Sequence, residues 1–358
     1  MSYVDEQSTG GLWVSSGDTA VPVFLGDFGR AFEGVVRVDS LLHFLQTAGG
    51  GVLAAAAGGV VRGYFDNGGG FCYLADTSGR SVREALAGVG AFGDVTVLVP
   101  VGLWDRGADA AGEQARAVAA YAAGRRAMAI FHAGRDHDAH EARDAALAFG
   151  LTADQRAHAV LYHPWLVPSG DQSQPVPPVG AVAGVWSAVD RDRGVWVAPA
   201  DVGIRAARAA RKVTEQELGG AQPVNFLHET GGRGTVVTGA RTLDDTGGTW
   251  AQIPVRRLAD TVGRDLQNAL SMAVFETNTQ PTWTRVQAAA DTYLHGLWRR
   301  GALAGSTSAE AFSVRVGKGV TMTDQDVEAG RIILTVGFAP VRPAEFVTVT
   351  VTAMTAEV

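Results

Sequence analysis

Apolar residues in this chain come in two textures: dense short runs, and runs repeating every three or four positions. The run at 19–26 (TAVPVFLG) predicts a buried strand, as do 71–74 (FCYL), 95–100 (VTVLVP), 127–132 (AMAIFH) and 159–162 (AVLY). Val38, Leu41, Leu42 and Leu45 have helical spacing within 37–48, opened by Asp39 or Ser40 as cap. Helices are also predicted over 53–65, 81–87, 112–125 and 139–149. Strands alternating with helices at this rhythm predict an α/β layer.

Beyond it, 166–180 reads as a Pro/Ser/Gly linker, and 203–218 as helical with a break near 213, where Thr214 and Glu217 form a capping-box pattern. Residues 225–243 read as short strands joined by Gly turns. Val255, Leu258, Val262, Leu266 and Leu270 line one helical face, and Trp283, Val286, Ala290, Tyr293 and Leu297 line another. Strands follow at 313–316 and 331–338. The last, 345–353, alternates Val347, Val349 and Val351 with Thr348, Thr350 and Thr352. A terminal strand of this kind has an edge open to pairing with another chain.

The densest stretch is 176–200, VPPVGAVAGVWSAVDRDRGVWVAPA. Its Gly, Pro and Trp residues predict a shaped path of turns against which something docks. Asp190, Arg191, Asp192 and Arg193 read as exposed turn residues suited to salt bridges within or between chains. Trp186 and Trp196 are either core packing or interface anchors.

Composition narrows the function classes. With 358 residues and 46% hydrophobic content, the chain is long enough for about two domains with sizeable cores. A net charge of −7 does not suit a nucleic-acid binder. Residues 1–150 carry net −6 and residues 201–300 net +2, a split that fits one solvent-facing surface and one facing an acidic partner. Cys72 is the only cysteine, so neither an internal disulfide nor a multi-cysteine metal site is available. The polar, acidic start does not read as a signal peptide, and no apolar run is long enough to span a membrane. A cytoplasm-like folding compartment is expected.

Candidate chemistry is sparse. Residues 88–93 (GVGAFG) match G-x-G-x-x-G, but a helix precedes and a strand follows, the reverse of a dinucleotide site; a helix-to-strand turn is expected. Residues 136–141 (DHDAHE) hold possible metal ligands but lack the H-E-x-x-H pattern, and read better as an acidic helix start. There is no nucleophile elbow and no phosphate loop at 317–319 (GKG). Cys72 lies between aromatics in a buried strand and reads as inert core.

The stretch and its flanks resemble the tail sheath protein family of contractile injection systems, which includes phage tails, R-type bacteriocins and extracellular phage-tail-like particles. The resemblance rests on 19–26, on 64–69 (YFDNGG) with Cys72 and Tyr73, on 161–165 (LYHPW), and on 177–186 (PPVGAVAGVW) with Asp190 and 193–200 (RGVWVAPA). Asn225, 239–243 (GARTL), 256–258 (RRL), Phe275, Glu276, Asn278, Trp283, 297–298, 301–303 and 343–346 (PAEF) follow in family order. The usual start of the family is not readable here, and Asp201 and Val179 stand where Asn and Ser are usual.

The resemblance implies an α/β (α+β) fold. An N-terminal sandwich-like α/β domain precedes a C-terminal α/β domain whose sheet is completed by terminal arms of neighbouring subunits. The expected division is an arm at 1–18, an outer domain at 19–170, an inner assembly domain at 171–340 and an arm strand at 341–358. The implied function is structural, without enzyme activity or cofactor: six-subunit rings stacked around an inner tube, contracting to drive it through an envelope. Implied partners are further copies of the chain, the inner tube protein, and baseplate and terminator or cap proteins, with no nucleic acid and no membrane insertion. Assembly in the bacterial cytoplasm is implied.

Intersubunit candidates are Val347, Val349, Val351, Trp186, Asp190, Arg191, Arg193 and Trp196; tube-facing candidates are Arg256, Arg257, Arg299 and Arg300. A baseplate- or cap-proximal paralogue making one ring, and an α/β enzyme with an unrecognised site, are the alternatives.

Overall fold

A computed structural model describes residues 12–29, 34–170, 174–220, 222–272, 276–341 and 346–355. By packing the chain divides into two compact units, residues 18–257 and residues 1–17 with 258–358.

The larger unit opens with β1 (Pro22–Gly26), β2 (Val35–Val38), α1 (Leu41–Ala48), α2 (Ala56–Asp66), β3 (Cys72–Asp76), α3 (Val82–Val89), β4 (Val97–Pro100) and α4 (Ala108–Gly124). It continues with β5 (Met128–His132), α5 (Ala139–Ala148), α6 (Ala153–Ala157), β6 (Ala159–His163), β7 (Leu166–Pro168), α7 (Val179–Arg193), β8 (Ala207–Ala209), α8 (Glu215–Gly220), β9 (Asn225–Thr230) and β10 (Gly234–Thr238). Helix α9 (Ile253–Met272) begins in this unit, and the division falls within it, after Arg257.

The main sheet has the order β10-β9-β6-β5-β4-β1-β3-β2. Strands β3, β1, β4, β5, β6 and β9 run parallel, and antiparallel β2 and β10 close the two edges. Every residue of β1, β3, β4, β5 and β6 is buried. This is why these strands read as continuous apolar runs: both faces of a parallel sheet are covered. One face packs on α3, α4 and α5 around Leu98, Phe131 and Phe149. The other packs on α1, α2 and α7 around Phe24, Tyr64 and Trp186.

The stretch predicted as a path of turns is instead mostly the 15-residue helix α7. Pro177 and Pro178 sit just before it, where the missing amide hydrogen costs nothing. Its glycines serve close packing on α2. A β-carbon on Gly180 would lie 1.9 Å from the Val60 carbonyl oxygen, and one on Gly184 would lie 2.4 Å from that of Tyr64. Residues 179–186 are all buried, so no polar stripe betrays the helix.

Other differences are local. Strand β2 occupies the start of the predicted 37–48 helix, which begins at Leu41 with Ser40 as cap; the Ser40 hydroxyl accepts from His43 N at 3.1 Å. The 203–218 region is not one helix. Ala206 has φ of 55°, which an α-helix does not accept, and β8 and α8 take its place. The capping box at its break is present: Thr214 N donates to Glu217 Oε2 at 2.8 Å. The expected boundary at 170/171 lies inside the larger unit, because α7 covers its sheet and β9 pairs with β6.

The smaller unit contains the remainder of α9, then α10 (Gln280–Arg299), α11 (Ser308–Ala311), β11 (Phe312–Val316), α12 (Asp324–Glu328), β12 (Arg331–Phe338) and β13 (Val347–Met354). Its antiparallel sheet has the order β11-β12-β13. Alternation in β13 is complete: valines in, threonines out. Residues 1–11, 273–275 and 342–345, which carry parts of the expected arms and of the family motifs, lie outside the described residues.

Replacing Gly184 by Leu is expected to force α2 and α7 apart and lower stability by about 1–3 kcal/mol or prevent folding. Urea midpoints of this variant and of the surface control Gly70→Ala, which has open space around it, test this.

Candidate assembly interface

The densest polar arrangement joins residues far apart in sequence. The Arg257 guanidinium, on α9, donates from Nη1 to Asp190 Oδ1 at 2.9 Å, while its Nη2 bonds Asp190 Oδ2 and Thr19 O, the latter at 3.0 Å. The Thr19 hydroxyl also donates to Asp190. The guanidinium carbon lies 4.4 Å from the centre of the Trp186 ring, and Trp186 Nε1 donates to Tyr162 Oη at 3.2 Å. Both charged side chains are nearly enclosed, at 3% and 5% exposure.

This geometry removes three residues from the expected interface set. Trp186 is core, Asp190 is paired within the chain, and Arg257 cannot face a tube while held inside. The sequence marked Asp190 as an exposed turn residue suited to a salt bridge and Arg257 as tube-facing; 67 positions apart, it gave no sign that they are each other's partner.

The remaining candidates are distributed differently. Arg191 and Arg193 are exposed at the end of α7; Arg191 donates to Gly68 O at 3.1 Å and pairs with Asp192. Trp196 folds back over Gly194, where a β-carbon would lie 2.5 Å from its ring. Arg256 stacks on Trp250, 4.0 Å from the ring centre. Arg299 and Arg300 are exposed at the end of α10, a position where cations suit the helix dipole.

Val347, Val349 and Val351 are 2–8% exposed, so they are core residues of their own unit. What β12 leaves unused in β13 is one side of its backbone. Strand β13 pairs in register with β12 from Phe338↔Val347 to Arg331↔Met354 and, among the described residues, is the last strand of the sheet. Gln267 Nε2 donates to Thr352 O at 2.9 Å, so that carbonyl points away from β12. Because antiparallel strands alternate their hydrogen-bonding sides, the backbone groups of Thr348 and Thr350 share that direction. Sequence alternation located the core face of this strand; the parity of its backbone became visible only with the register.

The possible chemical motifs become structural. Residues 88–93 turn from α3 toward β4, as expected. Asp138 caps α5, its Oδ1 accepting from His140 N at 2.8 Å and Glu141 N at 2.9 Å. Burial pushes the Cys72 thiol pKa up, away from the reactive thiolate. Among the described residues no group of three or more His, Cys, Asp or Glu is placed to hold a metal.

His163, missed as an individual site, ends β6 fully buried, with no hydrogen-bond partner on either ring nitrogen among the described residues. Burial, with help from Arg211, lowers its pKa to about 4. His132, at the end of β5, is buried too, its ring nitrogens 2.9 Å from Ala133 O and 3.1 Å from Val101 O.

Comparison with known proteins decides the family. Residues 245–354 match the phage tail sheath C-terminal domain. The chain is similar to the sheath of an extracellular contractile injection system, PVC, in its contracted state: 34% identity, TM-score 0.81, covering 100% of this chain and 97% of that one. The chain belongs to the tail sheath family.

The contracted helical sheath of the anti-feeding prophage is similar at 34% identity and TM-score 0.78, covering 97% of each chain. A sheath tail protein from Desulfitobacterium hafniense shares the fold at 12% identity and TM-score 0.67, covering 99% of this chain and 100% of that one. No curated protein sequence matches significantly. Within this sheath protein, several residues that carried the resemblance act as internal pins. Asn67 Oδ1 accepts from Arg205 N at 2.8 Å, and Asn225 Oδ1 from Arg241 N at 2.8 Å. Asn278 Nδ2 donates to Arg331 O at 3.0 Å while its Oδ1 accepts from Trp283 Nε1 at 2.6 Å.

Two measurements test this account. Arg257→Met, which leaves Asp190 buried without its cation, is expected to cost about 3–5 kcal/mol in chemical denaturation. His163 has a folded pKa below its unfolded value of about 6.5, so its contribution is full above that pH and is lost as pH falls toward about 4. His163→Phe is expected to flatten stability over that window by up to about 3 kcal/mol, read from urea midpoints at successive pH values.

Proposed function

We propose that the chain is the repeating structural subunit of a contractile sheath, without enzyme activity. Copies assemble as stacked six-subunit rings around an inner tube, and contraction drives the tube through a target envelope. The observation that carries this reading is the full-length likeness, above 30% identity, to the sheath chains of an extracellular contractile injection system and of the anti-feeding prophage. Contacts that do not close on themselves generate an open helix, as such a polymer requires.

The outward edge of β13 supplies the link between copies: a strand from a neighbour adds to the β11-β12-β13 sheet through main-chain hydrogen bonds. Described residues 12–17, part of the arm expected at 1–18, belong to the same unit as that sheet, where Gly17 N donates to Asp265 Oδ1 at 3.3 Å. In functional terms the assembly domain then comprises the smaller unit, with the sheet of 18–257 as the outward domain. Arg299 and Arg300 are the tube-facing charges; Arg191, Arg193 and Trp196 lie toward neighbours. The energy of contraction is stored at assembly as a choice between two packings, so no nucleotide or cofactor is used. The subunit is made and assembled in the bacterial cytoplasm, and baseplate and cap proteins bound the polymer. Its likeness to baseplate structures of the anti-feeding prophage favours, as a second reading, a baseplate-proximal paralogue that forms one ring.

Negative-stain microscopy of the purified chain distinguishes these readings: the repeating subunit gives tubes whose number grows with concentration, the paralogue single rings, and a persistent monomer contradicts both. Thr348→Pro removes an edge amide that β12 does not use, and is expected to abolish tubes with little change in melting temperature. Truncating β13 is a poorer test, because its valines belong to the core. The double variant Arg299→Glu, Arg300→Glu is expected to stop co-assembly with the tube protein while leaving the isolated chain folded.

A further inference from the structure

Beyond the carboxyl ends of β4 and β5, between the start of α4 and the exposed stripe of α5, lies a cavity of about 270 Å³. Its aromatic lining is rigid. Trp104 Nε1 donates to His132 O at 2.8 Å, fixing the indole. Buried Phe149 lies 5.8 Å from the Trp104 ring at a tilt of 36°, and His137 meets it edge-on at 4.8 Å.

The other wall carries two carboxylates. Glu141, Asp144 and Ala148 stand on one stripe of α5, at the helical spacing that puts side chains on one face. Glu141 commits one oxygen to the cap, accepting from Asp138 N at 2.8 Å. Asp144 makes no ion pair or hydrogen bond among the described residues, and no lysine or arginine lines the cavity.

An aromatic floor under unneutralised carboxylates selects a cation with a flat face. Guanidinium fits better than ammonium: it stacks on an indole, is weakly hydrated and forks onto carboxylates. The mouth of the cavity lies between Ala108, at the start of α4, and exposed Glu141, Asp144 and Ala148 on α5, where a side chain from an approaching surface can enter. We propose that it receives an arginine side chain presented by a partner polypeptide. Copies of this chain are rich in that group, Lys212 and Lys318 being its only lysines. The proposal does not depend on the sheath reading; it concerns a pocket of the larger unit whatever polymer that unit enters.

The test uses a fluorescein-labelled peptide with two arginines separated by glycine, and the same peptide with citrulline, a neutral isostere. Anisotropy with the purified full-length chain at low salt is expected to show about tenfold tighter binding of the arginine peptide. The double variant Glu141→Gln, Asp144→Asn removes the charge while Gln keeps the cap, and is expected to erase that preference at unchanged melting temperature. Ala148→Trp, filling the cavity from an exposed position, is expected to abolish binding of both peptides. Equal binding of the two peptides by the native chain, a preference that persists in the double variant, or a preference untouched by Ala148→Trp would each overturn the proposal.

Discussion

A single buried ion pair holds together parts of the larger unit that are remote in sequence. Arg257 belongs to the first turns of α9, Asp190 to the last turn of α7, and Thr19 to the segment leading into β1. Enclosing two charges is expensive, and their attraction repays the cost only when every donor and acceptor is used. Here the carboxylate receives both guanidinium nitrogens and the Thr19 hydroxyl, and the guanidinium lies against Trp186. A slip of α7 by one residue would strand a bare charge inside, so only one seating of these elements is acceptable.

That seating depends on glycine. For α7 to place Asp190 beside Arg257, its backbone must approach α2 closely, which Gly180 and Gly184 permit. The helix then lies directly over the parallel sheet, with Trp186 reaching Tyr162 on β6. One sequence feature, small residues at four-residue spacing, thus determines a packing distance, and the packing distance determines which charges meet.

These particulars explain what could be read in advance. The fully buried strands were legible because two-sided burial requires apolar runs, and the caps at Ser40 and Thr214 were legible because capping is a local rule. Helix α7 was not, because its sides are nearly all covered and its glycines looked like punctuation. The short strands β2, β7 and β8 lack enough residues to show a period. As for the interface candidates, the sequence showed charges and apolar positions but not the direction in which each side chain turns. Asp190 and Arg257 needed partners and found each other; the β13 valines needed burial and found it in their own unit.

Strand β13 separates two functions that a single pattern encodes. Its side chains alternate between core and solvent, and this alternation fixes its register against β12. Its backbone alternates too, between bonds to β12 and groups directed outward, and the same register fixes which residues do which. Outward threonine side chains keep the strand soluble without obstructing the edge, whereas a lysine or proline there would block it. A strand can thus be wholly committed to the fold through its valines while one side of its backbone is not used by the strand it pairs with. On the proposed reading, the side-chain face is satisfied at folding, and the outward side of the backbone meets a neighbour's strand at assembly.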